Sequence, residues 1–236
     1  KPLSLCVMEG RKLVRLARDK KRILMVGHIL EYHPAILKLR DLIGKGRIGE
    51  LRFLYSLRLN FGKFRKEENI LWSFAPYDIS AILRLTRKMP RQVSALGSAY
   101  LRPAVADVTS TELDFGGRLK AYIFVSWLNP VKEQKLVVVG SREMIVFDDV
   151  KKELISYGIK SGKIKQELIR DKGKRIPYPS GEPLRLECEA FLRAIRTRTS
   201  PLTDGESGLK VLEVLDAAQK SMTARGKPVS LRKGRS

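Results

Sequence analysis

Apolar residues recur at Val7, Met8, Leu13, Val14, Leu16 and Ala17, close to the spacing of one helical face, preceded by Ser4. That run ends in Lys20, Lys21 and Arg22, cations that suit the negative end of a helix. Residues 23–27, Ile-Leu-Met-Val-Gly, read as a short buried strand. Pro34 opens a second helix carrying Ile36, Leu37, Leu39, Leu42 and Ile43, and Gly44 closes it. Residues 51–61, rich in leucine and aromatics, predict a strand, and residues 62–69 a polar loop. Pro76 is expected to start a short helix running to about Leu85.

From residue 91 the pattern changes to strands, expected over 93–101, 108–115, 119–127, 135–139, 144–147 and 154–157. Gly116-Gly117 is a hairpin turn between the second and third of these, and the set reads as an antiparallel meander. Two helices, 183–198 and 206–225, close the chain, the second capped by Thr203-Asp204-Gly-Glu206. This order predicts an α/β (α+β) fold: a short α/β piece, then a mostly antiparallel open-sheet domain with flanking helices.

At 236 residues with 43% apolar content, the chain is long enough to bury a sizeable core. No apolar run approaches the ~20 residues a membrane-spanning helix needs, so no membrane partner is expected. Cys6 and Cys188 follow no ligand or disulfide spacing, which fits a reducing, cytoplasmic setting and no metal. The net charge of +22 is bimodal. Residues 1–66 hold 17 basic against 5 acidic side chains, residues 67–150 hold 10 of each, and residues 151–236 hold 20 against 10. The basic residues lie on one helix face, in a loop-like stretch 160–175 and in a tail 231–236, without interleaved stacking aromatics. Solvated basic faces are therefore favoured over a nucleic-acid partner.

Gly44-Lys-Gly46-Arg-Ile-Gly49 spells the dinucleotide fingerprint G-x-G-x-x-G. The fingerprint works where a strand enters the turn and a helix leaves it; here the order is reversed, so a plain helix-to-strand turn is expected. His28 and His33 follow the 23–27 segment. His28 reads equally as a ligand-side group or a structural histidine, and His33 as structural. Trp72-Ser-Phe-Ala-Pro-Tyr77-Asp78 gathers an indole, a phenol and a carboxylate, which reads either as an acid/base site using Tyr77 or as an aromatic core cluster. The loop with Asn60, Lys63, Arg65 and Asn69 suits a phosphate or carboxylate ligand, and equally a solvated loop.

Taken in order, these stretches resemble the glucose–fructose oxidoreductase/inositol dehydrogenase family of NAD(P)-dependent sugar dehydrogenases, most closely members acting on nucleotide-linked N-acetylhexosamines or their uronic acids. Lys1-Pro2 resembles the end of its Glu-Lys-Pro motif, Val26-Gly-His28 its last nucleotide-domain strand, and Trp72 to Asp78 its Trp-Asp-x-x-Pro-His-Asp segment. Ser126-Trp-Leu-Asn-Pro-Val-Lys132, Val139-Gly-Ser141 and Phe147-Asp-Asp149 resemble its sheet domain, and 183–192 with 201–205 its closing helices.

The resemblance implies a Rossmann remnant over 1–28, a substrate and dimerisation domain over 29–230 with closing helices at 183–226, and a basic tail at 231–236. It implies Lys1 and Tyr77 as catalytic residues, the ammonium favouring the phenolate. It implies Pro2, His28 and Trp72 toward an NAD or NADP cofactor, and Asn60, Lys63, Arg65, Asn69 and Asp78 toward a sugar or nucleotide-sugar. Pairing into a homo-oligomer through the open sheet is implied as well. Ser73 stands where the family carries aspartate, and the glycine-rich cofactor segment, expected ahead of Lys1, is absent from this chain. The chain alone is therefore expected to be inactive. The alternative is a non-catalytic binding or oligomerisation module that holds a nucleotide-sugar or another polyanion.

Overall fold

The computed structural model describes residues 1–62, 65, 68–159 and 172–231; the expected Lys63 contact, most of the 160–175 stretch and residues 232–236 of the basic tail lie outside them. Among the described residues nine strands form one sheet: β1 (Leu51–Leu59), β2 (Gln92–Ser98), β3 (Val108–Asp114), β4 (Lys120–Ser126), β5 (Glu133–Gly140), β6 (Glu143–Asp148), β7 (Glu153–Gly158), β8 (Lys174–Arg175) and β9 (Val229–Ser230). Their order is β8-β7-β6-β5-β1-β4-β3-β2-β9.

The sheet is not the simple meander expected. β1 sits between β4 and β5, parallel to β4 with Leu54 opposite Ala121 and antiparallel to β5 with Leu54 opposite Val138. Periodicity marks strands but not their neighbours, so this insertion leaves no local sequence signal. The expected Gly116-Gly117 turn is present, both glycines adopting positive φ (85° and 63°). The G-x-G-x-x-G hexapeptide is the helix-to-strand turn anticipated for it. It packs so closely on the β5–β6 turn that a Cβ on Gly140 would come 2.2 Å from the Ile48 carbonyl oxygen.

Alternation in each strand decides which face is covered. Leu54, Ala121, Ile123, Val125, Leu113, Leu136 and Val138 point inward and are buried under α2 (Pro34–Gly44), α3 (Ile70–Thr86) and α5 (Gly205–Thr223). On the other face Phe53, Tyr122 and Phe124 remain 38%, 42% and 37% exposed.

Two local expectations are corrected. α3 begins at Ile70 rather than Pro76, because the Asn69 side chain accepts from the Trp72 N–H at 3.3 Å and caps it there. Pro76 then lies inside the helix, where its missing N–H forfeits one intrahelical bond. Residues 23–27 form no strand; Met25 makes a single bridge to Asp204, and the Val26 N–H donates to the Thr203 carbonyl at 2.8 Å. α1 (Val7–Asp19) starts without a side-chain cap, and ahead of it Ser4 Oγ donates to Glu9 and accepts from the Cys6 N–H.

α1 lies along α5, its Gly10 seated where a Cβ would meet the Leu212 side chain at 2.7 Å. Arg11 to Glu213 and Arg18 to Glu206 tie the two helices at 2.8 and 2.7 Å. Leu5, Met8, Leu13 and Leu16 face outward, as do Leu184, Phe191, Leu192 and Ile195 of α4 (Pro183–Thr197).

A charged contact crosses the core between β1 and α3. Arg58 Nε and Nη2 donate to Asp78 Oδ2 and Oδ1 at 2.7 and 3.2 Å, with both side chains buried. Removing one member leaves an uncompensated buried charge. Asp78→Ala is therefore expected to cost about 3–5 kcal/mol in urea unfolding, and the double replacement Arg58→Met with Asp78→Leu to recover most of that loss.

Candidate functional site

The N-terminal residues meet α3 at one point. Ser73 and Tyr77 are four residues apart and share a helix face. Lys1 Nζ donates to the Ser73 carbonyl oxygen at 2.7 Å and lies 4.0 Å from the centroid of the Tyr77 ring. Arg58 Cζ lies 5.1 Å from the same centroid, so two cations flank one aromatic ring.

Burial lowers the Lys1 ammonium to about 8, with Glu68 opposing the shift and Arg65 and Arg58 adding to it. Burial also raises the Tyr77 phenol, and the nearby charges of Arg58 and Arg65 do not overcome it. The expected ammonium-assisted phenolate is thus not what the geometry provides. Lys1 sits over the face of the ring and bonds to a backbone carbonyl, and the phenol is held in its protonated form. Of the two, Lys1 is the group that releases its proton nearer to neutral pH.

The other anticipated residues divide. Arg65 is exposed, pairs with Glu68 at 3.1 Å and contributes charge to the Lys1–Tyr77 pair. His28 is completely buried with neither ring nitrogen bonded, and burial, with the positive charge at Lys1 adding to it, lowers it to about 4. Pro2 is half-buried beside Lys1.

Trp72 and Asn69 turn elsewhere: Trp72 Nε1 and Asn69 Nδ2 both donate to Gln219 Oε1 of α5, at 3.0 and 2.9 Å. Asp78 is consumed by Arg58. Asn60 is half-buried at the end of β1, its N–H donating to the Ser126 carbonyl at 3.1 Å. His33 is structural as read; its Nδ1 accepts from the Ala35 N–H at 3.1 Å and its ring packs 4.7 Å from that of Phe147. Among the described residues no group of His, Cys, Asp or Glu is placed to hold a metal, and both cysteines are free and exposed.

Two residues of this region escaped the sequence reading. Arg58 shares its strand face with buried Leu54 and Ser56, and an arginine on a core-facing register requires a buried acid. Glu187 of α4 carried no signal beyond its helix, yet it is only 7% exposed and its charge is felt by the Tyr77 phenol.

Residues 36–146 match the GFO/IDH/MocA C-terminal domain. The UDP-N-acetylglucosamine 3-dehydrogenase of Acidithiobacillus ferrooxidans is 25% identical over 214 residues, covering 90% of this chain and 66% of that protein. A solved structure of that enzyme superposes with a TM-score of 0.83 at 24% identity, covering 95% of this chain and 70% of its own. A levoglucosan dehydrogenase in complex with NADH and levoglucosan superposes with a TM-score of 0.83 at 17% identity, covering 99% of this chain and 72% of its own. The chain thus spans about two thirds of the length of these relatives. The open nine-stranded sheet and its covering helices are the fold they share, and residues 36–146 carry the match to the GFO/IDH/MocA C-terminal domain.

Proposed function

We propose that the chain forms the substrate half of an NAD(P)-dependent oxidoreductase that oxidises a hydroxyl of a sugar or nucleotide-sugar. The carrying observation is Lys1, held over Tyr77 by the Ser73 carbonyl with its ammonium lowered to about 8. The similarity to a UDP-N-acetylglucosamine 3-dehydrogenase supplies the substrate class.

A bound NAD(P)⁺ would supply the hydride acceptor. The described residues fit it at the nicotinamide end only, where His28 keeps two buried, unbonded ring nitrogens near Lys1 and Pro2. Among them no strand–glycine turn–helix unit is available for its pyrophosphate. In this reading Lys1 Nζ takes the hydroxyl proton as the carbinol C–H bond is broken, and Tyr77 holds the sugar oxygen with its O–H. Arg65 meets the anionic part of the ligand at the rim.

The exposed sheet face is read as a homo-oligomer interface, since Phe53, Tyr122 and Phe124 form an apolar patch across neighbouring strands β1 and β4.

Mixed with NAD⁺ and UDP-N-acetylglucosamine, this chain alone is expected to form no NADH while still binding the sugar nucleotide in calorimetry. Lys1→Met should weaken that binding about tenfold or more; unchanged affinity would remove Lys1 from the site.

The unfolded chain keeps the Lys1 proton up to its ordinary value of 10.5, whereas the folded chain releases it near 8. Stability should therefore rise with pH between about 8 and 10.5, and Lys1→Met should flatten that rise. Urea midpoints measured across this window, with an NMR titration of the Lys1 side chain, check both statements.

Phe124→Glu, which places a charge on the open sheet face, should convert an oligomer to a monomer in light scattering. A wild-type chain that is already monomeric would refute the interface.

A further inference from the structure

Glu187 has no hydrogen-bond partner for Oε1 although it is 7% exposed. Its carboxyl is raised by burial, with no cation offsetting the shift. The other ionisable groups buried to this degree include Arg58 with Asp78, Glu31 with Arg84 at 2.5 Å, and Asp107, which accepts from Trp127 Nε1 and from the Tyr100 and Leu101 N–H groups. Beside these satisfied groups, Glu187 and His28 are the ionisable side chains with unbonded buried atoms among the described residues; the remaining orphans, Ser56, Thr109 and Thr111, are single hydroxyls within the sheet.

The two orphans are also neighbours. Glu187 Oε1 lies 3.6 Å from where a Cβ on Gly27 would stand, so the carboxyl abuts the backbone that carries His28. Gly27 itself is exposed, which opens this spot to a ligand. The Glu187 charge is felt by the phenols of Tyr77 and Tyr32, placing the carboxyl on the Tyr77 side of α4. A fold gains nothing by leaving a carboxylate oxygen dry and unbonded, whereas a binding site does when the missing donor arrives with the ligand.

We propose that Glu187 is a specificity-determining residue of the Lys1–Tyr77 site, accepting a hydrogen bond from a neutral N–H or O–H group of a ligand lying against Gly27 and His28. This rests on the reading of that site as a sugar-nucleotide site and narrows it. An acetamido or hydroxyl group satisfies Glu187, while a uronate carboxylate brought to the same place meets a like charge. The donor comes either from the sugar or from the carboxamide of a nicotinamide. Both present the same chemistry to Glu187.

The test is calorimetric titration of the whole chain with UDP-N-acetylglucosamine, the corresponding UDP-linked uronate and nicotinamide mononucleotide, for the wild type, Glu187→Gln and Glu187→Ala, with thermal melts of each free protein. Glu187→Ala should weaken whichever neutral ligand supplies the donor by about 10-fold or more, and that ligand identifies the source. The wild type should prefer the acetamido sugar to the uronate, and Glu187→Gln should narrow that preference. The melting temperature of free Glu187→Gln should rise, since a buried unpaired carboxyl is removed. Lower melting temperatures in both variants with unchanged affinities would make Glu187 merely structural and overturn the proposal while leaving the site standing. Absence of binding of all three ligands to the wild type would overturn the sugar-nucleotide reading itself, and this inference with it.

Discussion

The buried Arg58–Asp78 pair is the constraint on which the candidate site depends. It is the polar crossing between the central strand β1 and helix α3, made where a carboxylate and a guanidinium would each be costly alone. Because Asp78 follows Tyr77 in the helix, fixing one orients the other. The same guanidinium lies 5.1 Å from the centroid of the ring that Lys1 covers. A pair that contributes little net stability can still determine where a proton-exchanging group stands. The depressed Lys1 ammonium follows, because the burial that lowers it requires α3 to lie where this pair holds it.

Much of the architecture was legible along the chain. The Pro34-to-Gly44 helix, the two closing helices and most strands appear where their periodicity places them, and Gly116-Gly117 turns as its two glycines allow. Legibility failed where distant residues decide. Asn69 caps α3 and is itself held by Gln219, a residue 150 positions away, so Pro76 looked like the start of a helix it merely interrupts. The 23–27 segment has strand composition but meets only the turn before α5, and an apolar run without a pairing edge does not become a strand.

The nearness of Lys1 to Tyr77 was legible in the sequence, but its geometry was not. Lys1 and Tyr77 stand together, but stacked rather than side by side, with the amine lowered and the phenol raised by burial. Trp72, Asn69 and Asp78 carry the residue types of a ligand site and are spent on holding α3 in place. Glu187 was silent, because nothing local distinguishes a buried unbonded carboxylate from the many glutamates on helix surfaces.

The placement of β1 also bears on how the protein is made. This strand precedes both of its neighbours in the sheet, which begin at residues 120 and 133, so one edge stays open until three, and the other until four, of the eight following strands have been synthesised. Such nonlocal pairing slows closure of the sheet and leaves a leucine-rich edge seeking a partner. The growing chain must reach Gly140 before the central strand is complete on both sides.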